Sequence, residues 1–194
     1  MMRQIPVFFL ILVFFRILAG PVAWAGEADH TIQVQVNRTG NLYTLTASFD
    51  TSLTTCAAYH YLTDYAAARN LPGVIKSVAY RQSPVNVEVD RIADEHVLFF
   101  NVRLHSVMEY TEKPFDHIEF EQLKGDSKVF RGSWDIVPNG HGSTLNFRGL
   151  WEPNTLIPLF IIDYFARNGL MDKFEAIARL ADRYNDLLSG RCAN

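Results

Sequence analysis

Alternation of apolar and polar side chains runs through most of this chain, and helical spacing interrupts it twice. Thr31 to Val36 sets Ile32, Val34 and Val36 against Gln33 and Gln35. After the turn Asn37-Arg38-Thr39-Gly40-Asn41, Leu42 to Phe49 resumes with Tyr43, Leu45, Ala47 and Phe49. Two period-2 runs around a Gly/Asn turn predict a hairpin. A helical segment follows, with Thr51-Ser52 as N-cap candidates and Cys56, Ala57, Tyr59, His60, Leu62 and Tyr65 as apolar surface. Thr63-Asp64 restarts it as a second short helix, and Leu71-Pro72-Gly73 ends it. Six alternating stretches come next: Val74–Gln82, Val85–Asp90, His96–Tyr110, Phe115–Leu123, Val129–Val137 and Thr144–Trp151. Short turns between them predict antiparallel neighbours.

The last predicted element is one long helix, Pro158 to Leu188. Proline suits a first helical turn because its missing N–H has no intrahelical partner to lose. From Phe174 the apolar residues Ile177, Ala178, Ala181, Tyr184 and Leu188 form a stripe opposite Lys173, Glu175, Arg179, Asp182, Arg183 and Asp186. The first half reads differently. Leu156 to Phe165 is apolar on nearly all sides, and on a straight helix Ile161 and Phe165 point away from the later stripe. Either Asn168-Gly169 kinks the helix, or Ile161 and Phe165 meet a membrane or a protein partner. The order of elements predicts an α+β fold in which a curved antiparallel sheet wraps a long C-terminal helix, leaving room for a ligand between them.

Composition adds an address. Arg3, the apolar run Val7–Phe15 and the small-x-small Ala23-Trp24-Ala25 have the layout of a secretory signal peptide cleaved after Ala25. Arg16 leaves the apolar run short of the roughly 20 residues a membrane span needs. Residues 26–194 are then expected to form one domain, exported to a bacterial periplasm. Cleavage would leave 16 Lys and Arg, rather than 18, against 21 Asp and Glu, a formal charge of −5. With no basic cluster, nucleic acid is a poor partner. Cys56 and Cys192 in an exported chain are either one disulfide or two unrelated thiols, and they are too sparse for a conventional zinc site.

Several short motifs then point to a family. Tyr61-Leu62-Thr63-Asp64-Tyr65 followed by Leu71-Pro72-Gly73-Val74 resembles the L-T-D-Y … P-x-V segment of the START-like (Bet v 1-like, SRPBCC) superfamily. Gly132-Ser133-Trp134, Gly142-Ser143-Thr144 and the Pro158-led helix follow in the order of its polyketide cyclase/dehydrase and coenzyme-Q-binding branch. The resemblance covers Thr31 to Leu188. It implies a helix-grip fold, with the two short helices near the far end of the last helix, which would bring Cys56 towards Cys192.

The cavity of such a fold is expected to be lined by Val87, Val89, Phe100, Val102, Leu104, Ile118, Phe120, Phe130, Trp134, Leu145, Phe147, Trp151, Phe174 and Ile177. Arg103, His105, His117, Glu119, Arg131, Asp135 and Arg148 fall on the opposite strand face, and Arg81 and Arg91 read as surface residues near strand ends. A general acid or base must reach the substrate, so a wall without ionisable groups argues against catalysis. His105 and His117 could mimic a metal pair across neighbouring strands, but exposed histidines are the commoner case; Asp64 reads as a helix-start residue. The expectation is therefore a carrier or sensor of a hydrophobic lipid or quinone, with no metal, no cofactor and no catalytic residue assigned. The alternatives are an accessory protein whose own aromatic side chains fill its cavity, and a cyclase or dehydratase.

Overall fold

A computed structural model of the chain describes residues 31–97, 100–189 and 192. Eight strands form one antiparallel sheet: β1 (Gln33–Thr39), β2 (Leu42–Thr51), β3 (Val74–Arg81), β4 (Asn86–Val97), β5 (Phe100–Lys113), β6 (His117–Gly125), β7 (Ser127–Asn139) and β8 (Gly142–Pro153). Their order across the sheet is β1-β2-β8-β7-β6-β5-β4-β3. The six-strand meander therefore folds back so that its last strand pairs with the opening hairpin. Between β2 and β3, helix α1 (Thr55–Thr63) and a 3-10 turn (Ala67–Asn70) carry the chain from one side of the sheet to the other. Thr54 caps α1 by accepting from Ala57 N at 3.2 Å. Asp64 ends α1 and accepts from Ala67 N at 3.1 Å, which starts the 3-10 turn. The second short helix is thus a single 3-10 turn.

Helix α2 (Leu159–Ser189) is unbroken over 31 residues and crosses the inner face of the sheet. Asn168-Gly169 does not interrupt it. Ile162, Ala166, Leu170, Phe174 and Ala178 recur every four residues, and Ala181 follows, so one buried stripe serves both halves. Pro158 stands just outside the helix, where its carbonyl accepts from Ile161 N at 2.9 Å. Burying a ring such as Phe174 is worth about 1.5–3 kcal/mol, and here the rings form a ladder. Phe147 lies 5.1 Å from Trp134, 5.2 Å from Phe174 and 5.8 Å from Phe120, the last pair stacked at 13°. Gly132 and Gly149 pair directly in register, and a Cβ on Gly132 would stand 2.0 Å from Arg148 O and 2.8 Å from Phe120 Cζ. This side-chain-free patch lets the Phe120 and Phe147 rings lie against the backbone.

The far end of α2 is tied to α1. Cys56 and Cys192 are joined by a disulfide with Cα atoms 6.0 Å apart. Tyr61 Oη donates to Ile177 O at 2.7 Å. No helix among the described residues is long and apolar enough to cross a membrane.

Candidate functional site

The inner face of the sheet and the first half of α2 enclose a cavity of about 250 Å³. Leu104, Met108, Phe130, Trp151, Phe165 and Leu170 give it an apolar wall, while Arg91, Glu95, Ser106, Gln122 and Lys173 bring polar atoms to it. Beside it, a second compartment of about 250 Å³ extends to Val102, Ile157 and Ile162, sharing Glu95, Leu104, Trp151 and Phe165. A smaller space of about 120 Å³ lies under α1, between Tyr61, Tyr65, Ile118, Trp134 and Ile177, and Arg91 borders that one as well.

Strand parity explains why charged residues reach this interior. Along β4 the inward positions are Val87, Val89, Arg91, Ala93 and Glu95, which pair with Tyr110, Met108, Ser106, Leu104 and Val102 of β5. The expectation of a wall free of ionisable side chains is therefore overturned, as is a surface position for Arg91. The small Ala93 and Ser106 leave the space that the neighbouring leucine, methionine and aromatic side chains surround. Arg91 Nε is buried and has no hydrogen-bond partner among the described residues. At the cavity edge, Lys173 of α2 forms an ion pair with Glu95. On β6 a bulge leaves Leu123 unpaired, between Gln122, opposite Met108, and Lys124, opposite Val107. Gln122, before the bulge, faces inward by the alternation of Ile118 and Phe120, and donates to Ser127 O at 2.8 Å, while Trp151 Nε1 donates to Ser127 Oγ at 3.1 Å.

Two polar clusters brace the walls. Tyr43 Oη donates to Asp163 Oδ1 at 2.7 Å, and Arg38 Nε reaches the same carboxylate at 2.8 Å, fixing the start of α2 to the first hairpin. The Tyr43 hydrogen bond, ahead of Arg38, holds Asp163 below the usual carboxylate range; burial and then Asp163 push Tyr43 up. Further along the inner face, Glu112 is 3 % exposed. It accepts from Tyr59 and Tyr65 at 2.9 Å each and from two nitrogens of Arg81 at 3.1 Å. Burial first, and this carboxylate second, raise Tyr59 to about 12 and push Tyr65 up as well. Arg81, half exposed, is thus the outer end of a buried network rather than a free surface charge.

The fourteen residues expected to line the cavity separate into groups. Val102, Leu104, Phe130 and Trp151 border the two larger compartments, and Ile118, Trp134 and Ile177 border the small one. Val87, Val89, Phe120, Leu145, Phe147 and Phe174 are packed in the core. Phe100 begins β5, and its side chain lies outside the described residues. Phe165, expected as an outward contact, lines the cavity instead, and Ile161 is half-buried; the exposed side chains here are Leu156, Phe160 and Tyr164. The outward placement of His105 and His117 is as expected, each bonded to a carboxylate: His105 to Asp90 at 2.9 Å and His117 to Asp135 at 2.6 Å. They do not form a pair. Lys113 stands opposite His117 and Ser106 opposite Gly125, so the two histidines lie at opposite ends of the β5–β6 ladder. A broader groove of about 480 Å³ on this outer face is lined by polar side chains including Thr44, Glu119, Glu121, Arg131 and Arg148. This groove is open to solvent, and among the described residues neither of the buried side-chain atoms without a hydrogen-bond partner lies in it.

No protein-family model matches the chain, and no curated protein matches its sequence. Solved structures do match its backbone. The STAR-related lipid transfer protein of Xanthomonas axonopodis superposes with a TM-score of 0.64 at 16% identity, over 77% of this chain and 93% of that one. The di-domain ARO/CYC protein StfQ of the steffimycin biosynthetic pathway gives 0.62 at 16% identity, over 77% of this chain and 52% of that one, so the chain spans about half of StfQ. A START superfamily protein of Mycobacterium smegmatis gives 0.56 at 12% identity, over 74% and 99% of the two chains. At identities this low the matches are a likeness of backbone architecture, and with the eight-stranded sheet and long C-terminal helix of this chain they give it the START-like helix-grip fold.

Proposed function

We propose that this protein is an exported carrier of an amphipathic small molecule of the lipid or quinone class, held between the sheet and α2 with its polar end at Arg91. The observation that carries this reading is the buried, unpartnered Nε of Arg91, a residue that lines the largely apolar cavity. A buried donor left unpaired costs about 1–3 kcal/mol, which a ligand oxygen would recover. The two larger compartments share walls, and together they reach the roughly 300–1,000 Å³ typical of ligand sites. Support also comes from the lipid transfer named for the Xanthomonas axonopodis protein. Export to a periplasm rests on the signal-peptide pattern of Met1–Ala25 and fits the disulfide, which an oxidising compartment maintains.

Native mass spectrometry of protein purified without detergent, followed by organic extraction, tests the reading. The expected result is a stoichiometric lipid or quinone adduct. Arg91→Leu should weaken it by about 10- to 150-fold, the value of one charge-assisted hydrogen bond. A bare polypeptide mass, unchanged after incubation with lipids and quinones, overturns the carrier and favours an accessory protein whose aromatic ladder fills the interior. A second reading, chemistry on the bound molecule, draws on Arg91, Glu95 and Lys173 at the cavity and on the ARO/CYC likeness. A change in the extracted molecule's mass over hours of incubation would favour it.

Loading would proceed where the second compartment meets the turn before α2. Leu156, Phe160 and Tyr164 project there, Phe160 at 71% and Tyr164 at 56% exposure, in a composition suited to a bilayer interface. Phe160→Asp is expected to reduce sedimentation with phosphatidylglycerol-containing vesicles about tenfold while leaving thermal unfolding unchanged. Equal sedimentation of variant and parent would rule out this contact.

A further inference from the structure

We propose that Cys56, His60 and Cys192 form a redox-gated binding site for a thiophilic metal ion, Zn(II) or Cu(I), which opens when the disulfide is reduced. Cys56 and His60 lie one turn apart on α1, so both side chains leave the same helix face. Cys192, beyond α2, is brought to them by the disulfide. The two sulfurs and a histidine ring nitrogen all lie within 4.8 Å of one another, and this is the one such group of three among the described residues. All three side chains are half-buried, so the group is reached by solvent. Among the described residues the His60 ring nitrogens make no hydrogen bond. The ring is flanked instead by Tyr59, with centroids 5.7 Å apart, and Phe115, at 6.3 Å. An imidazole steadied by aromatic neighbours with both nitrogens uncommitted is suited to ligation.

Tetrahedral zinc takes sulfur at about 2.3 Å and nitrogen at about 2.0–2.1 Å. Its ligand atoms then stand roughly 3.3–3.8 Å apart, so the cysteine sulfurs must separate, while the histidine nitrogen starts within 4.8 Å of both. The gating step balances as a thiol–disulfide exchange. A reduced dithiol supplies two electrons and two protons to the Cys56–Cys192 bond and leaves as its own disulfide. The metal then displaces the two thiol protons and binds the thiolates with the neutral imidazole. Disulfide and metal are mutually exclusive, yet either one joins α1 to the end of α2. The crosslink between the two elements is therefore exchanged rather than lost.

The test is an anaerobic titration of the reduced full chain with Co(II), followed by Zn(II), with folding monitored by near-ultraviolet circular dichroism. One Co(II) per chain is expected, with thiolate-to-metal charge-transfer absorption and the visible bands of a tetrahedral ion, both removed by Zn(II). The oxidised chain should show neither. His60→Ala should weaken Co(II) at least tenfold, while His60→Cys should retain tight binding and add charge-transfer intensity. Unchanged affinity in His60→Ala, equal binding by the oxidised chain, or a reduced chain that unfolds and does not refold with Zn(II) would each overturn the proposal.

Discussion

Serine at both Cys56 and Cys192 is expected to lower the free energy of unfolding by about 4–5 kcal/mol under oxidising conditions. The bond spans 136 positions of sequence and closes the chain from α1 onward, all but the opening hairpin, into one loop. An uncrosslinked unfolded chain regains the entropy of that loop, and the cost rises with the logarithm of loop length. For a chain of this size, such a loss lowers the melting temperature by roughly 10–20 °C. The loss should appear mainly as a lower denaturant midpoint, with the α1–α2 corner opening first, because Tyr61 Oη to Ile177 O is a main polar tie remaining there. Denaturant unfolding of variant and parent, oxidised and reduced, measures it. If all forms unfold at the same midpoint, the disulfide does not stabilise the native state.

The second large effect is expected at Glu112. Glu112→Leu removes the acceptor of two tyrosine hydroxyls and of the Arg81 guanidinium. Arg81 is half exposed and can turn to water. Tyr59 and Tyr65 are 9% and 4% exposed and cannot. Two stranded hydroxyls, at about 1–3 kcal/mol each and partly relaxed, give a loss of about 3 kcal/mol. Calorimetry should show a fall of roughly 6–12 °C. A mutant cycle over the three positions separates this mechanism from simple misfit. Adding Tyr59→Phe and Tyr65→Phe to Glu112→Leu should recover much of the loss, because the orphaned donors are then gone. If the triple variant is less stable than Glu112→Leu by the full cost of both tyrosine changes, the hydroxyl network is not what the carboxylate supports.

How far the sequence could be read depends on what a residue's neighbours in the chain reveal. Alternation from Gln33 to Phe49 and from Val129 to Trp151 marked the hairpin and the closing strands because each of these strands has one apolar face and lies between clear turns. The same logic failed in the middle. The stretch His96–Tyr110 read as one strand, but His96 and Val97 end β4, while Phe100 opens β5. Carrying the parity of Val87 and Val89 forward to Arg91 and Glu95, or that of Tyr110 to Glu112, would have placed three charges inside. The signal was present, but a charged side chain on an inward position was taken as the end of a strand. The unbroken course of α2 was harder to foresee, because Gly169 lowers helix propensity and only packing against the sheet offsets it.

By itself, the sequence determined the order of elements, the α+β class and the short motifs that resemble the START-like superfamily, because periodicity and turn chemistry are local properties. The tertiary structure alone decided which side chains meet. The Glu112 network joins residues up to 53 positions apart, Lys173 meets Glu95 across 78, and Cys56 meets Cys192 across 136. Pairing with Met108 sets Gln122 against the cavity, and Ala93 and Ser106 open space beside Arg91. Each contact depends on the register between strands and on the path of α2 across the sheet, both set by the packing of the whole core.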